Sequence, residues 1–326
     1  MTPMPIVLDS DPGLDDTVAL HYLLTRPEWD LRAYTAVGGN LPVDGTFRNA
    51  RAIAAAFGID ADVPVHRGAG RPISRVTVRS DFHGPEGLGR QTLPDSRVRP
   101  PAEDAVSALL RLSRRFEGEL TVVATGPLTN VAAALVLDPG FARRVRALVF
   151  MGGAARVPGN ITPVAEFNIW ADPDAADIVV SSGIEFTMVG LDATQLAVFD
   201  RSDLAVMEEH GGAGTELSAR VLRDYLAAYA RFTGQEHCFL HDPLAVAVAT
   251  DPRFAALEHG AVVVGCDLGL GRGRTVFVPE VETNNPNLPP GISERLDMCG
   301  RVAVGAGTRD FVPDFLARLT GGAHPS

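Results

Sequence analysis

The stretch Asp9-Ser10-Asp11-Pro12-Gly13-Leu14-Asp15-Asp16 places four carboxylates within eight residues, directly after the apolar segment Ile6-Val7-Leu8. Anions packed this closely repel unless a cation sits among them, and hard divalent ions such as Ca²⁺ and Mg²⁺ are held by clustered carboxylate oxygens. Pro12-Gly13 turns the chain between the two pairs, and Thr17-Val18-Ala19-Leu20 opens a helical pattern. Asp15 and Asp16 then sit at a helix N-terminus, where the dipole favours negative charge. The pattern is strand, acidic turn, helix. An ordinary N-cap with solvated acids accounts for one or two of these residues but not for all four, so the run is a candidate metal site.

The elements that must position these groups follow from the rest of the chain. Apolar, β-branched runs recur at Ile6–Leu8, Leu31–Val37, Val63–His66, Leu120–Ala124, Ala147–Met151 and Phe186–Val189. Helical patterns separate them at about 15–24, 43–57, 103–115, 128–137, 173–182, 201–209, 215–232 and 242–250. Near-continuous apolar strands alternating with helices predict an α/β, Rossmann-like fold with a mostly parallel central sheet flanked by helices. Strand candidates Ala261–Val264, Thr275–Val278 and Arg301–Val304 extend the sheet, and a helix near 309–320 closes the chain. The Gly-, Pro- and Arg-rich segment from Gly68 to Pro101 predicts a long loop, and long loops in compact domains are often functional. No repeat or linker marks a boundary, so residues 1–326 are expected to form a single domain. Polar or glycine-rich tips follow successive strands at Asp9 and Asp11, Gly38-Gly39-Asn40, Thr125-Gly126, Gly152-Gly153 and Leu191-Asp192. Ligands of open α/β sheets bind outside the carboxyl ends of the strands, and the active site is expected there.

Composition removes several classes of function. A formal charge of −11 argues against a nucleic-acid or anionic-membrane partner, both of which need a basic face. No apolar run reaches membrane-spanning length and no basic-then-apolar leader opens the chain, so cytoplasmic residence is expected. The sequence contains no lysine, which excludes Schiff-base chemistry and the phosphate-binding lysine of a P-loop. Cys238, Cys266 and Cys299 have neither zinc-site nor redox-pair spacing and are expected to be reduced thiols.

Further segments follow the acidic run in order: Val37-Gly38-Gly39-Asn40, His83-Gly84 with Gly87 and Gly89, Thr125-Gly126-Pro127-Leu128-Thr129-Asn130, Met151-Gly152-Gly153, Gly159-Asn160, Ala165-Glu166-Phe167-Asn168 and His241-Asp242-Pro243. With the DxDPGxDD pattern of Asp9–Asp16, this series resembles the inosine-uridine-preferring nucleoside hydrolase family from Pro5 through Pro243, weakening beyond residue 260. The resemblance implies Ca²⁺ held by the carboxylates of Asp11, Asp16 and Asp242 and by the backbone carbonyl of Thr125, a hard-ligand set that leaves room for water and a ribose diol. It further implies Asp11 as general base, Asp15 on the ribose 2-hydroxyl, Asn40 and Asn168 on the sugar hydroxyls, Asn160 and Glu166 near the 5-hydroxyl, and Met151 lining the substrate site. Asp9 supports this shell. His241 is expected to protonate the departing base, a role for which an imidazole of near-neutral pKa is suited, and His83 in the long loop is either a base contact or a solvated turn residue. Tyr225 and Tyr229 share one helical face and serve either as base contacts or as core.

The implied reaction is Ca²⁺-dependent hydrolysis of the N-glycosidic bond of ribonucleosides to free base and ribose, through an oxocarbenium-like transition state. The implied partners are a small-molecule ribonucleoside and further copies of the chain in a homodimer or homotetramer. Two departures bear on the base, which is expected to be of inosine/uridine type or broad. Gln195 follows Leu191-Asp192-Ala193-Thr194 where the family often carries His, and Tyr229 and Thr233 stand where pyrimidine-preferring members carry Gln and Tyr. Two other readings compete. A phosphatase of the haloacid dehalogenase type also opens with a strand and Asp-x-Asp, but it expects Thr or Val soon after the second Asp and usually a lysine, whereas this chain has Pro12 and none. A non-catalytic nucleoside- or ribose-binding protein of the same fold would be expected to have lost Asp11 or Asp242, and both are present.

Overall fold

The structure is a computed structural model that describes residues 2–74, 76, 79–280, 299–305 and 310–321. Its strands are β1 (Met4–Ser10), β2 (Trp29–Ala36), β3 (Val65–Arg67), β4 (Thr121–Ala124), β5 (Ala147–Met151), β6 (Phe186–Val189), β7 (Val198–Phe199), β8 (Cys238–Phe239), β9 (Leu257–Val264), β10 (Thr275–Pro279) and β11 (Cys299–Ala303). Nine of them form one sheet in the order β10-β9-β11-β6-β5-β4-β1-β2-β3, and β7 pairs with β8 separately. The sheet is parallel from β3 to β11; only β9 runs against its neighbours.

Burial explains the parallel arrangement. β1 is buried from Pro5 to Ser10, so both its faces need cover. Ile6 and Leu8 pack with the helices Leu14–Leu24, Ala213–Thr233 and His241–Thr250 on one side of the sheet. Val7 points the other way, against the helices Ala105–Arg115 and Thr129–Leu137, as the two-residue period of a strand requires. The His241–Thr250 helix is buried on nearly all sides, which explains its largely apolar sequence.

The chain winds outward from β1 through β2 to β3, then crosses back to the other side of β1 at β4. The winding direction therefore reverses between β1 and β4, and the crevice at such a reversal is where doubly wound sheets bind ligands. Pairing brings the three strand ends to one level: Asp9 lies opposite Ala124 and Ser10 opposite Ala36. The Val37 and Thr125 backbone N–H groups extend these ladders by donating to the Ser10 and Asp9 carbonyls, both at 2.8 Å.

Expected and observed elements agree within a few residues, with differences that have local causes. β9 begins at Leu257, four residues before the expected start, because its first half pairs with β11 at the sheet's antiparallel edge and lacks a continuous apolar run. The helices Phe141–Arg144, Phe167–Ala171 and Leu191–Thr194 and the two-residue strands β7 and β8 were not expected, being too short to show a period. The last helix spans Phe311–Thr320, and residue 309 of the expected range lies outside the described residues. Among the described residues no helix is long and apolar enough to cross a membrane. Cys238 and Cys266 are free thiols.

Candidate active site

The acidic turn is folded inward. Asp9, Asp11, Asp15 and Asp16 are all buried, so the solvated-cap alternative fails. Asp16 does cap the Leu14–Leu24 helix, accepting the Gly13 N–H on Oδ2 at 2.8 Å, while its Oδ1 takes the hydroxyls of Ser10 (2.7 Å) and Thr125 (2.9 Å). Asp11 lies between two glycines. A Cβ on Gly39 would stand 2.1 Å from Asp11 Oδ2, and one on Gly126 2.7 Å from Oδ1, so only glycine lets these strand ends close around the carboxylate. The Asn40 N–H then reaches Oδ2 at 2.7 Å, and Asn40 Nδ2 donates to the Asp11 carbonyl at 3.1 Å. Asp9 sits beneath, with Oδ1 held by Thr35 (2.6 Å) and Asn130 (2.7 Å).

Ligand oxygens of Asp15, Asp16 and Asp242 lie within 4.8 Å of one another. This trio differs by one residue from the carboxylate set that the resemblance implied: Asp15 is gathered with Asp16 and Asp242, and Asp11 lines the same cavity beside them. Thr125 offers its carbonyl at the end of β4, where Asn168 Nδ2 donates to it at 2.8 Å. The same amide nitrogen reaches the Met151 carbonyl at 3.2 Å. Glu166 caps the short helix that carries Asn168, accepting the N–H groups of Asn168 (2.9 Å), Gly153 (3.0 Å) and Ile169 (3.2 Å). Asn160 accepts the Phe167 N–H at 2.9 Å.

These groups line one side of a cavity of about 360 Å³, a volume suited to a small organic ligand. Its other side is aromatic. His83 is buried rather than solvated, and its Nδ1 accepts the Leu14 N–H at 3.1 Å, which leaves the ring hydrogen on Nε2. Tyr225 and Tyr229 are packed and also line the cavity: the Tyr225 hydroxyl donates to Asp15 at 2.9 Å, and the Tyr229 hydroxyl lies 2.9 Å from His241 Nε2. Thr194 engages His241 Nδ1 at 2.7 Å. Gln195 and Thr233, positions whose departures bear on the base, also line the cavity, as do Phe82, Gln235 and Phe239, which were not singled out because isolated Phe and Gln residues carry no motif.

Burial sets the electrostatics. It raises Asp9, Asp15 and Asp16 from 3.8 to about 6, with Asp15 adding like-charge repulsion at Asp16. Asp11 and Asp242 are pushed well above the ordinary value by burial and then by their acidic neighbours, and burial takes Glu166 to about 7. The histidines move the opposite way: burial lowers His83 and His241 to about 4. The expectation of a near-neutral His241 is therefore corrected, since a desolvated imidazole is held uncharged.

The residues fit a divalent cation. Asp242 is buried and no donor among the described residues reaches its carboxylate. The chain has no lysine and no arginine among the described residues lines the cavity, so no described cation offsets the cluster. An all-oxygen set of carboxylates and a carbonyl suits a hard ion.

A strand-end acidic site opening on a cavity of about 360 Å³ suits a small polar ligand. The chain belongs to the inosine-uridine preferring nucleoside hydrolase family, whose model matches residues 6–294. Among curated relatives, a pyrimidine-specific ribonucleoside hydrolase of Shewanella sp. is 39% identical over 278 residues, covering 83% of this chain and 86% of its own. A probable uridine nucleosidase of Oryza sativa subsp. japonica is 33% identical over 274 residues, covering 83% and 84%. Among solved structures, a plant nucleoside hydrolase superposes with a TM-score of 0.91 at 31% identity, covering 98% of this chain and 99% of its own. A purine-preferring ribonucleoside hydrolase from Gardnerella vaginalis does so with 0.87 at 33%, covering 97% and 98%. This protein is a nucleoside hydrolase, and the phosphatase and binding-protein readings fall away.

Protons and a cation compete for the cluster, which gives a signed pH dependence. Without a cation, Asp9, Asp15 and Asp16 bind protons between about pH 4 and 6 that the unfolded chain does not. That contribution to stability is full below about pH 4 and is lost as pH rises through about 6. Cation binding needs the ionised carboxylates. The difference in Tm between cation-loaded and chelated protein should therefore grow from pH 5 to pH 7 and level off above. The gain should reach about 2.7 kcal/mol at a hundredfold excess over Kd. The histidines titrate in both samples and largely cancel. A difference that stays flat from pH 5 to pH 8 would exclude a cation among these groups.

Proposed function

We propose that the chain cleaves ribonucleosides with Ca²⁺ held by Asp11, Asp16, the Thr125 carbonyl and Asp242. The supporting observation is the buried Asp15–Asp16–Asp242 cluster, with no counter-ion among the described residues, beside a chamber that is polar on one side and aromatic on the other. A cation bound there neutralises the carboxylates and supplies Lewis acidity. Asp11, clamped by the Asn40 N–H and the two glycines, takes a proton from the attacking water as general base. Asp15, fixed by Tyr225, binds the ribose 2-hydroxyl; Asn40 and Asn168 take the other ring hydroxyls, Asn160 and Glu166 the 5-hydroxyl, and Met151 borders the sugar. Positive charge develops on the ribose as the glycosidic bond stretches, and the surrounding carboxylates are already in place to stabilise it.

The base occupies the aromatic side, against His83, Tyr225 and Tyr229. It leaves with a proton, and His241, joined to Tyr229 at Nε2 and held by Thr194 at Nδ1, is assigned to deliver it after first taking one up from solvent, because burial holds the free imidazole uncharged. Cleavage of both inosine and uridine fits a chamber wall of rings and flexible amides, Gln195 and Gln235, which can serve either keto base.

A nucleoside panel read by base release tests the reading. Uridine and inosine should be hydrolysed, and exhaustive chelation should abolish turnover until Ca²⁺ is restored. The 2-deoxy analogues should lose a factor of roughly 10⁴ in kcat/KM, because a site built around a hydroxyl leaves its own polar groups unpaired without it. Comparable values for uridine and 2-deoxyuridine would remove Asp15 from the sugar site.

His241 has its own test. His241→Ala should lower kcat for inosine by about 10²–10⁴ while changing KM and Ca²⁺ content little. p-Nitrophenyl riboside, whose leaving group departs without a proton, should be far less affected. Equal losses on both substrates would make His241 a support for Asp242 instead.

A further inference from the structure

The segment Ser80–Gln91 carries Phe82 and His83 across the aromatic side of the cavity, and it is pinned at two places outside the site. At one, Asn49 Nδ2 donates to the Glu86 carbonyl at 2.8 Å and to the Pro12 carbonyl of the acidic turn at 3.3 Å. At the other, the buried Asp224 gathers four donors. Its Oδ2 accepts the Arg90 backbone N–H at 2.9 Å and Gln91 Nε2 at 2.7 Å, and its Oδ1 accepts Arg90 Nε at 2.8 Å and Nη2 at 2.7 Å. Gly89 permits the approach: its φ is +59°, and a Cβ there would stand 2.8 Å from Asp224 Oδ2. Burial alone would push the Asp224 carboxyl up, but the donors from Arg90 and Gln91 outweigh it and hold it below the ordinary value, so the latch is ionised at neutral pH.

Asp224 does not line the cavity, yet it is one residue from a group that does. Tyr225, next on the Ala213–Thr233 helix, donates to Asp15 and stacks on His83 with ring centroids 6.0 Å apart and planes 19° from parallel. Phe82 meets Tyr229 edge-on at 5.1 Å. One turn of helix thus holds both the rings that face the base and the carboxylate that ties down the segment facing those rings.

We propose that Asp224 is a positioning residue for the leaving-base side of the site, latching Arg90 and Gln91 so that Phe82 and His83 keep their register against Tyr225 and Tyr229. The proposal rests on the assignment of His83 as a base contact. A merely structural clamp would hold the fold and affect all substrates alike. A positioning latch acts on the base through His83.

The test compares wild type, Asp224→Asn, Asp224→Ala, His83→Ala and the Asp224→Ala/His83→Ala double variant, each loaded with Ca²⁺. Inosine and p-nitrophenyl riboside are the substrates, and trypsin nicking after Arg90 is followed in parallel. Asp224→Ala should lower kcat/KM for inosine by about 10- to 100-fold, the scale of an ångström-level misplacement, with a much smaller loss on p-nitrophenyl riboside. Asp224→Asn, which keeps one acceptor, should fall between. In the His83→Ala background the loss from Asp224→Ala should shrink to less than about twofold, as expected for residues acting through one contact. Equal losses on both substrates, or full additivity with His83→Ala, would overturn the proposal. If His83→Ala alone leaves inosine turnover unchanged, the base-contact assignment fails on its own and trypsin decides the latch. Faster nicking after Arg90 in both Asp224 variants at unchanged Tm, with a larger loss on inosine than on p-nitrophenyl riboside, then supports a latch acting through Phe82, and an unchanged nicking rate or equal losses overturn it.

Discussion

Buried like charges are the constraint on which this structure turns. At an effective dielectric of about 20, two unit charges about 4 Å apart repel by about 4 kcal/mol, and Asp11, Asp15 and Asp242 line one cavity with Asp16 clustered against Asp15 and Asp242. Several such pairs would consume the 5–15 kcal/mol by which a typical domain is stable. The charge must be removed by protons or matched by a cation. Because the chain has no lysine and no arginine among the described residues lines the cavity, no described side chain matches it from within. The neighbourhood is organised around that deficit. Ser10 and Thr125 give hydroxyl hydrogens to Asp16, Asn40 gives a backbone hydrogen to Asp11, and Gly39 and Gly126 clear the space that lets the strand ends converge.

The capping and metal readings of the acidic turn are therefore not alternatives. Asp16 takes the N-cap residue's own N–H on one oxygen and faces Thr125 with the other, so the start of the helix and the cation site share one carboxylate. This couples rigidity to function. The Leu14–Leu24 helix cannot shift along its axis without moving Asp15 and Asp16, and the packing of its apolar face against the Ala213–Thr233 and His241–Thr250 helices sets the distance to Asp242. The acidic side of the chamber is built from strand ends and helix starts. The aromatic side instead comes from the Ser80–Gln91 segment and from isolated side chains such as Gln195 and Gln235, whose replacement leaves the ladder hydrogen bonds intact.

Legibility in the sequence followed the range of each interaction. The acidic turn was readable because its chemistry is concentrated in consecutive residues, and the strands and longer helices because burial on both faces of a parallel sheet writes continuous apolar runs. The ordered glycine and asparagine tips placed the site at the strand ends, and the register of β1, β2 and β4 puts them on one level. What the sequence did not reveal is long-range or environmental. Thr194 meets His241 across 47 positions, and Asp224 meets Gln91 across 133, with no local pattern to mark either pair. The long loop was legible as a loop but not as a tethered one, since its anchors, Asn49 and Asp224, lie on helices where an Asn or Asp is unremarked. The protonation state of His241 depends on desolvation that its Asp242 neighbour in sequence does not disclose.

That last discrepancy follows from the same burial. In one cavity, desolvation raises the carboxylates toward protonation and lowers His83 and His241 toward neutrality. Both kinds of group shed charge for the same reason, the loss of water around an ion. Without a cation, the chamber therefore tends toward a near-neutral state in which Asp11 is less available to accept a proton. A divalent cation reverses this by displacing protons from the carboxylates it meets. Ionisation of Asp11 is then tied to the cation that it is proposed to hold with Asp16 and Asp242. His241 follows more weakly, because Tyr229 and Thr194 occupy both its ring nitrogens and burial persists whatever occupies the cluster. The charge states of the two groups are thus set by different means: ionic charge around Asp11, and burial with a fixed hydrogen-bond chain at His241.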